Sequence, residues 1–373
     1  MKYIFIQNLI APYRTSLFNK LYGMGLDFEV LYMCELEKDR KSWIVDYSKM
    51  NYPFQVLQGI YKDVHGIQFH WDPKIIRYVK EHSEAKVILG GSWNFMDVIS
   101  ICLLKRLSII KNELIFWAEA NYKSLGAREK NKVRDIIRKY VYHSGDGRFI
   151  VPGQMGVETF KRWGVNVRDY LFLPNVIEEE KFNNIVPCEN KRHDIPIYVI
   201  PARLEERIKG QINFFNSIGI DNIKKVRFLL LGGGSEESRL KEYIKCNNLE
   251  EHIILKGNLD MKQMVDFYKQ ADVCVLPSFT DASPLSLVEA ICCGLPLLIS
   301  NYCGNHFETL VEGKNGYSFS PYSPEEIRTA FEVLLNKRNE WKKMGEESRY
   351  LFEHNFRQSI VLERFINQLN KNN

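Results

Sequence analysis

Short apolar runs alternate with helix-length segments along the chain, and this alternation limits the fold more than any other feature. Eleven runs rich in β-branched and aromatic residues are strand candidates. Because they are almost continuously apolar, they predict strands buried on both faces, as in parallel sheets covered by helices. They are YIFIQ (3–7), FEVLYM (28–33), KVILG (86–90), ELIFW (113–117), RFIV (148–151), YLFL (170–173), PIYVI (196–200), VRFLLL (226–231), HIILK (252–256), VCVL (273–276) and PLLIS (296–300).

The pattern runs twice, on either side of VPCENKRHDIP (186–196), which is polar, proline-bounded and aperiodic and therefore predicts a linker. The fold class expected is α/β, with two doubly wound, Rossmann-like domains facing across a cleft. A chain of 373 residues with 45% hydrophobic residues can bury a core in each. The predicted divisions are residues 1–185, residues 186–350, and a C-terminal helix at 351–373 that crosses back to the first domain.

The composition limits which classes of partner and which cellular compartment are expected for this chain. Residues 1–190 hold all the excess positive charge, with 27 basic and 22 acidic residues, which favours an acidic partner there. The eight cysteines form no C-x-x-C and several lie in apolar runs, so reduced thiols and a cytoplasmic location are expected. Neither a signal peptide nor an 18-residue apolar span is recognisable. The eight histidines lack metal-ligand spacing.

Ligands of parallel sheets bind beyond the carboxyl ends of the strands, so the loops there are candidate sites. One such loop leads into a helix in TDASPLSLVEAICCGLPLL (280–298), where Ser283 suits the N-cap and Pro284 the first helical position. The backbone N–H groups that follow would favour an anion or sugar oxygens. They belong to Leu285, Ser286 and Leu287.

Two carboxylates lie eight residues apart in this stretch. Asp281 precedes the predicted helix, and Glu289 lies within it among apolar neighbours, where a carboxylate needs a partner. From these residues alone, a ligand-binding pair and an ordinary turn residue with a surface carboxylate both stay open.

A second loop, PARLEERIKGQ (201–211), places Arg203 and Lys209 at the end of a predicted strand, where Gly210 allows a helix to begin. Two cations at this position can neutralise a diphosphate leaving group. The alternative is two solvated charges among the neighbouring glutamates.

A third loop, LLLGGGSEES (229–238), contains three glycines that permit a tight turn or the close approach of a ligand. It is not a dinucleotide fingerprint, because Glu237 stands where the last glycine belongs. Acidic residues in the first helical turn would also repel a pyrophosphate. NAD and FAD are therefore not expected.

In this order and spacing, the loops resemble the nucleotide-sugar domain of GT-B glycosyltransferases, specifically the retaining family 4 (glycosyl transferases group 1). The E-x7-E motif of that family is similar to Asp281-x7-Glu289, and its Arg…Lys-Gly signature to Arg203 with Lys209-Gly210. SNYCGNHFETLVEGKNGY (300–317), with Gly304, Glu308 and Gly316, resembles a later loop of the family. In the first half, IAPYRTSLFNKL (10–21) resembles its opening loop and helix.

The resemblance implies a role for each residue. Glu289 would accept both ribose hydroxyls, Asp281 would hold hydroxyls of the transferred sugar, and Arg203 and Lys209 would stabilise the departing diphosphate. Glu308 would lie by the sugar or phosphates. The groups expected to meet the sugar or phosphate are Ser283, Pro284, Leu285 and Ser286, and those expected to line the base are Gly257, Asn258 and Leu259.

The implied activity is hexosyl transfer (EC 2.4) with retention, from a UDP- or GDP-sugar to a glycan or lipid-linked acceptor, as in bacterial surface polysaccharide synthesis. No cofactor is expected, and because D-x-D is absent, no metal either. Two departures from the family affect the sugar: Asp281 is one methylene shorter than the usual Glu, and Ala282 replaces a common glycine.

The first half of the chain is expected to supply the residues on the acceptor side of the cleft. Family members often present a His or Glu from this domain to the transferred sugar, and Glu119 in FWAEANY is the expected counterpart; a loop carboxylate in water stays an alternative. Further candidates at predicted strand ends are Tyr13, Arg14, Gly90, Gly91, Ser92 and Asn94.

Residues 105–139 contain ten Lys or Arg and four Asp or Glu, within apolar helical stretches. Such a segment can lie on an anionic membrane, here the cytosolic face of the inner membrane, or it can be a helix that packs on the sheet with a solvated outer face. Nucleic acid is not expected, because aromatic residues are not interleaved with the basic run.

Two other functions stay open beside glycosyl transfer. A GT-B-fold UDP-N-acetylglucosamine 2-epimerase would need additional cleft carboxylates and histidines. A non-catalytic subunit of a glycosyltransferase complex is compatible with the departures at Asp281 and Ala282.

Overall fold

The computed structural model describes residues 2–35, 45–64, 67–90, 92–124, 131–182 and 193–371, with only the backbone described for residues 61, 63, 64 and 67–69. It contains two parallel sheets, each covered by helices on both faces, together with a small hairpin. The predicted α/β fold with two Rossmann-like domains is confirmed.

The first domain is built on seven parallel strands in the order β3-β2-β1-β6-β7-β8-β9, so the strand order reverses between β1 and β6. An antiparallel hairpin, β4–β5, precedes α2. The elements are β1 (Tyr3–Gln7), α1 (Pro12–Gly23), β2 (Phe28–Tyr32), β3 (Phe54–Val56), β4 (Ile60–Val64), β5 (Ile67–Trp71), α2 (Pro73–Glu81), β6 (Lys86–Leu89), α3 (Met96–Arg106), β7 (Leu114–Trp117), α4 (Lys132–Tyr142), β8 (Arg148–Val151), α5 (Gln154–Arg162) and β9 (Asp169–Phe172).

The second domain is built on six parallel strands in the order β12-β11-β10-β13-β14-β15, and its strand order reverses between β10 and β13. The elements are β10 (Ile197–Ile200), α6 (Glu206–Lys209), α7 (Gln211–Ile218), α8 (Ile220–Ile223), β11 (Arg227–Leu230), α9 (Glu237–Cys246), β12 (Ile253–Leu255), α10 (Met261–Gln270), β13 (Val273–Leu276), α11 (Leu285–Cys292), β14 (Leu297–Ser300), α12 (His306–Thr309), β15 (Gly316–Phe319), α13 (Pro324–Asn336), α14 (Trp341–Asn355) and α15 (Gln358–Asn370).

The last helix, α15, returns to the first domain. Its buried face, with Val361, Leu362, Phe365 and Leu369, lies in the same hydrophobic cluster as Phe5 of β1. The side chain of Gln368 accepts a hydrogen bond from the backbone N–H of Phe172 in β9 at 2.8 Å. The C-terminal segment therefore ties the two domains together through packed core contacts.

Each of the eleven predicted strands coincides with an observed one to within two residues at either end. The sequence patterns missed β3 and β15, which lie at the edges of the two large sheets, and β4 and β5, which form the separate hairpin. The predicted division at residue 351 falls inside α14, because the first part of that helix packs on the second domain and the chain crosses over only after Phe356. The predicted boundary at 185/186 lies outside the described residues.

Among the helices of the described ranges, none combines the length and the apolar character that a bilayer crossing requires.

Replacing Phe365 with Ala tests the role of α15. The ring is fully buried in the core of the first domain, so its loss should lower the free energy of unfolding by about 3–5 kcal/mol through lost burial and a residual cavity. Urea denaturation followed by tryptophan fluorescence measures this change. Glu363→Ala, at an exposed position of the same helix, is the matched control, and equal stability of the two variants would show that α15 is dispensable.

Candidate functional site

The reversal of strand order in the second domain brings the loops after β10 and β13 together. Lys209 ends the first of these loops, and Asp281 lies in the second. The Nζ of Lys209 donates to Oδ2 of Asp281 at 2.5 Å, and both side chains are largely shielded from water. A reversal of this kind is where parallel α/β sheets place polar ligands.

Backbone contacts hold the two loops at this distance. Phe279 donates its N–H to the carbonyl of Ile208 at 2.8 Å. Gly210, which follows Lys209, has φ of 64°, and a Cβ at this position would lie 2.9 Å from the carbonyl oxygen of Pro277. Only glycine takes this conformation and leaves that space, so Gly210 positions the ammonium of Lys209 against the second loop.

The helix that follows Asp281 begins one residue later than the sequence indicates. Pro284 is the N-cap and Leu285 the first helical residue, and Ser283 makes no side-chain cap; its carbonyl instead accepts a hydrogen bond from Asn175 of the first domain at 3.3 Å. Proline suits this N-cap because it has no N–H to satisfy and its fixed φ, here −64°, is compatible with the extended ψ of 121°. The N–H groups of Leu285 and Ser286 are in the first turn of α11, where helices leave donors without intrahelical partners.

Glu289 lies one turn into α11, and its carboxylate is held by Tyr268 of α10. The Tyr268 hydroxyl donates to Oε2 of Glu289 at 2.8 Å. Burial raises the pKa of Glu289, and the hydrogen bond from Tyr268 offsets part of that rise. A half-buried carboxylate with a raised pKa, and with its Oε1 oxygen available to a ligand's donors, is typical of a binding residue.

The loop after β14 packs against the loop that carries Asp281. Gly304 donates its N–H to the carbonyl of Asp281 at 2.9 Å, and a Cβ on Gly304 would lie 1.7 Å from the carbonyl oxygen of Ala282. The buried Asn305 donates to the carbonyl of Pro284 at 3.0 Å. These contacts fix the start of α11. They also explain why residue 304 is a glycine, which the sequence alone did not explain.

Arg203 lies apart from Lys209. Its side chain is 56% exposed and pairs with Glu205 at 2.9 Å. The structure therefore brings Lys209, Asp281 and the start of α11 together, whereas Arg203 is at the end of β10 beside the glycine turn that follows β11.

The glycine turn serves the packing of neighbouring loops. A Cβ on Gly232 would lie 2.5 Å from the carbonyl oxygen of Ala202, and one on Gly234 would lie 2.3 Å from that of Leu204. Asn258, expected to line a base, accepts the N–H of Gly233 at 3.0 Å through Oδ1.

Of its two neighbours in the loop after β12, Gly257 has φ of 69° and pairs with Gly232, while Leu259 packs partly against the core. The loops after β10, β11 and β12 therefore form one surface beside Arg203.

The first domain has a cavity of about 390 Å³ at its own reversal of strand order. Its walls come from the loops after β1, β6 and β7, with contributions from α4 and the end of α5. Among the lining residues are the predicted Tyr13, Arg14, Gly90, Ser92 and Glu119, together with Trp93, Trp117, Asn121 and Trp163.

An ion pair organises the floor of this cavity. Nη2 of Arg14 donates to Oε1 of Glu119 at 3.0 Å, and the guanidinium lies over the ring of Trp117, 4.2 Å from its centroid. Burial opposes the charge on Arg14, but the neighbouring Tyr13 and Glu119 outweigh it and the pKa of the guanidinium is raised. A fixed positive charge therefore holds the Glu119 carboxylate toward the cavity.

Two predicted residues of this group lie elsewhere. Asn94 hydrogen-bonds with Ser92 and is not among the residues that line the cavity, because the chain turns into α3 at this point. Gly91 lies outside the described residues. Gly90 has a packing role as well, since a Cβ there would overlap the amide of Gln7.

Three side chains that were not predicted from the sequence join the first domain to the second. Nδ2 of Asn121, on the cavity wall, donates to the carbonyl of Asp281 at 3.1 Å. Nδ2 of Asn175 donates both to Glu119 at 3.2 Å and to the carbonyl of Ser283. Lys123 donates to the carbonyl of Asn301 at 2.8 Å. Two of them lie two and four residues beyond Glu119, and the third lies just after β9. These positions at strand ends were the signal in the sequence that could have identified them as site residues.

Glu308 also spans the two domains. Its Oε1 accepts the N–H of Gln154 at the first turn of α5 at 2.7 Å, and a Cβ on Gly153 would lie 2.4 Å from that oxygen. Burial raises the pKa of Glu308, and its Oε2 is buried without a hydrogen-bond partner in the described part of the chain. A half-satisfied carboxylate at this junction can accept a donor from a ligand.

No three His, Cys, Asp or Glu side chains of the described ranges cluster as a metal site would require.

Comparison with known proteins identifies the second domain. Residues 182–350 match the family of glycosyl transferases group 1. This part of the chain is similar to the glycosyl transferases group 1 family. It contains Lys209, Asp281 and Glu289, so the site built above lies within the matched segment of the group 1 family.

Longer comparisons cover both domains. The chain is 28% identical over 313 residues to an uncharacterized glycosyltransferase of Methanocaldococcus jannaschii, spanning 75% of this chain and 76% of that one. HepE of Anabaena, in complex with UDP, superposes with a TM-score of 0.74 at 14% identity over 99% of each chain. The apo form of WaaB, a lipopolysaccharide outer core galactosyltransferase, gives 0.73 at 16% identity over 99% of each chain. The fold of the whole chain is therefore GT-B.

The buried state of Glu289 predicts a pH-dependent stability difference. Because its folded pKa is raised above the ordinary 4.5, its contribution favours the folded state below that pH and is lost as pH rises through the window up to the folded pKa. Glu289→Gln removes this loss, so the variant should gain stability relative to the parent as pH rises, by at most about 1.4 kcal/mol per pH unit.

Thermal unfolding from pH 4 to pH 7 measures the difference, with Glu242→Gln, an exposed position on α9, as the control. A difference between parent and Glu289→Gln that stays constant over this range would contradict the burial of a charged Glu289.

Proposed function

We propose that this chain is a retaining glycosyltransferase that moves a sugar from a nucleoside-diphosphate sugar to a glycan or lipid-linked acceptor. One observation carries the proposal. The Lys209–Asp281 pair and the start of α11 lie at the strand reversal of the second domain, and Asn121 joins them directly to the cavity of the first domain. A donor on one side and an acceptor on the other would meet at this junction.

The donor nucleotide fits the second domain. Glu289, with Oε2 already bound by Tyr268, would accept the two ribose hydroxyls through its remaining lone pairs. The loops carrying Gly257, Asn258 and Leu259 would line the base. The complex of the similar HepE with UDP supports a uridine nucleotide as the first donor to test.

The diphosphate would lie between Lys209 and the first turn of α11. The ammonium and the N–H groups of Leu285 and Ser286 together supply positive potential where negative charge develops on the leaving group. Arg203 would need to leave Glu205 to join them, and its exposure permits this movement. These residues bind and orient the leaving group.

The sugar would lie between the two domains. Asp281, on leaving its ion pair with Lys209, would accept hydroxyls of the sugar, and Glu119 would face the sugar from the opposite side, held by Arg14 and Asn175. The unsatisfied Oε2 of Glu308 is a further acceptor at the junction. Three carboxylates around one ring suit a hydroxyl-rich ligand.

In the transfer itself, the bond between the anomeric carbon and the phosphate oxygen breaks and the acceptor oxygen bonds to that carbon. The proton of the acceptor hydroxyl passes to the leaving phosphate. The carboxylates on both sides of the sugar stay ionised and stabilise the positive charge that develops at the anomeric carbon. The anomeric configuration is retained when the acceptor enters on the face that the phosphate leaves. The tryptophan-lined cavity at Glu119 would position that acceptor.

The role of each domain is tested first with a panel of UDP- and GDP-sugars. Thermal shift identifies the donor, and release of the nucleoside diphosphate is then measured with and without glycoside and lipid-linked acceptors. Acceptor-dependent release, with the anomeric configuration of the product read by NMR, supports the proposal. Interconversion of the sugar without an acceptor would instead indicate an epimerase, and binding without turnover a non-catalytic subunit.

Replacing Lys209 with Ala should slow turnover by about 10²- to 10³-fold, because a charge aimed at the leaving group acts mainly in the transition state. The measurement is the rate of nucleoside diphosphate release at saturating donor. Lys224→Ala, an exposed lysine of the same domain, is the control. Equal rates for Lys209→Ala and the control would remove Lys209 from the mechanism.

A further inference from the structure

Helix α4 buries Val141 and Tyr142 but also exposes a stripe of aliphatic residues to solvent. Val133, Ile136 and Ile137 are exposed, by 66%, 69% and 39%, while Arg138 of the same helix is buried. Arg138 pairs with Asp135 at 2.8 Å and lies over the ring of Trp163. A helix on a globular core normally turns its aliphatic stripe inward, so this stripe is positioned for something outside the chain.

The neighbouring helix α3 continues this surface. Arg106 near its end donates to Ser144 after α4 at 2.8 Å, and its guanidinium lies 4.2 Å from the centroid of the Tyr140 ring. The two helices are therefore packed side by side. The exposed aliphatic residues on α3 and in the turn after it are Met96, Leu103, Leu107 and Ile109.

These seven aliphatic side chains, here called the α3–α4 face, are more than half of the twelve exposed aliphatic side chains in the described chain. Leu107 and Ile109 follow the end of α3 and are 59% and 47% exposed. Concentration on two adjacent helices distinguishes this face from the scattered apolar residues that any protein surface carries.

Basic side chains surround the α3–α4 face. Within 96–112 and 131–143 the basic residues outnumber the acidic ones, and of the two acids Asp97 is fully buried and Asp135 is paired with Arg138. The exposed basic residues of these two segments are Arg106, Lys111, Lys132 and Lys139, whereas Lys105 is largely buried and pairs with Asp146 at 3.2 Å.

We propose that the α3–α4 face docks on an anionic lipid bilayer. Aliphatic side chains would enter the boundary between head groups and acyl chains, and the surrounding lysines and arginines would lie at the level of the phosphates. A second copy of the chain fits less well, because two-fold pairing would set the same positive rim against itself.

The docked orientation would place the cavity of the first domain near the membrane. Trp93, immediately before α3, and Tyr142, at the end of α4, both line that cavity. An acceptor carried on a lipid could then reach the cavity from the bilayer; this last step rests on the proposed transferase function, whereas the docking itself does not.

Flotation of the purified 373-residue chain with vesicles tests the proposal. The chain should float with vesicles of phosphatidylcholine and phosphatidylglycerol and stay mostly unbound with phosphatidylcholine alone. Val133→Ser combined with Ile136→Ser should reduce partition by about tenfold or more, because two exposed aliphatic side chains can no longer be buried. Lys132→Glu combined with Lys139→Glu should reduce partition and its dependence on salt.

Ile60→Ser is the matched control, since Ile60 is 57% exposed and lies on the β4–β5 hairpin, outside the face. Thermal shift with the donor identified above, carried out on every variant, separates loss of docking from loss of the transferase site. Absence of flotation for the parent, or equal flotation of parent and serine variant, overturns the proposal. So does a parent dimer in sedimentation velocity that the serine variant dissociates, which would make this face an interface between copies.

Discussion

The reversal of strand order in each parallel sheet is the constraint on which the rest of the structure depends. Where strand order reverses, as between β10 and β13, the chain leaves one strand in the opposite direction from its neighbour, and this opens a crevice at the carboxyl ends of the two strands. Lys209 and Asp281 occupy the two loops at that crevice. The first domain repeats the arrangement between β1 and β6, and its cavity lies there. Two such crevices facing each other define where chemistry can take place.

Polar contacts rather than an apolar interface connect the two crevices. Asn121 and Asn175 reach backbone carbonyls of the loop that leads into α11, and Glu308 accepts an N–H from the start of α5. Together these contacts amount to a few hydrogen bonds, and polar interfaces of this kind between domains permit the domains to move. The apolar tie is elsewhere, in α15, whose Phe365 and Leu369 are part of the core of the first domain. A packed apolar tie at one end and a few polar contacts at the other suit a site that must admit and release ligands.

Much of this could be predicted from sequence because parallel strands are nearly continuous apolar runs. VCVL at 273–276 and RFIV at 148–151 are both fully buried strands. The strands that were missed lack this signal: Phe54–Val56 alternates between half-buried and exposed side chains, and Gly316–Phe319 is at a sheet edge. The sequence also placed Asp281 before a helix and Glu289 inside it, because a loop followed by one turn of helix depends only on local geometry.

Contacts between distant segments could not be predicted in this way. Tyr268 is twenty-one residues from Glu289, and only packing of α10 against α11 brings them together. The triple glycine at 232–234 was open to a ligand role, yet its Gly232 and Gly234 allow two backbone segments to approach. The excess of basic residues at 105–139 was visible in the sequence. Which aliphatic side chains face outward was not, because it depends on how the helix is rotated, and the structure shows that rotation by the burial of Arg138.

A crystal structure of the chain with UDP bound tests the central claim most directly. The account predicts ribose hydroxyls on the Glu289 carboxylate and the diphosphate within hydrogen-bond distance of Lys209 and the first turn of α11. Nucleotide bound at any other place, with the Lys209–Asp281 pair undisturbed, would contradict it.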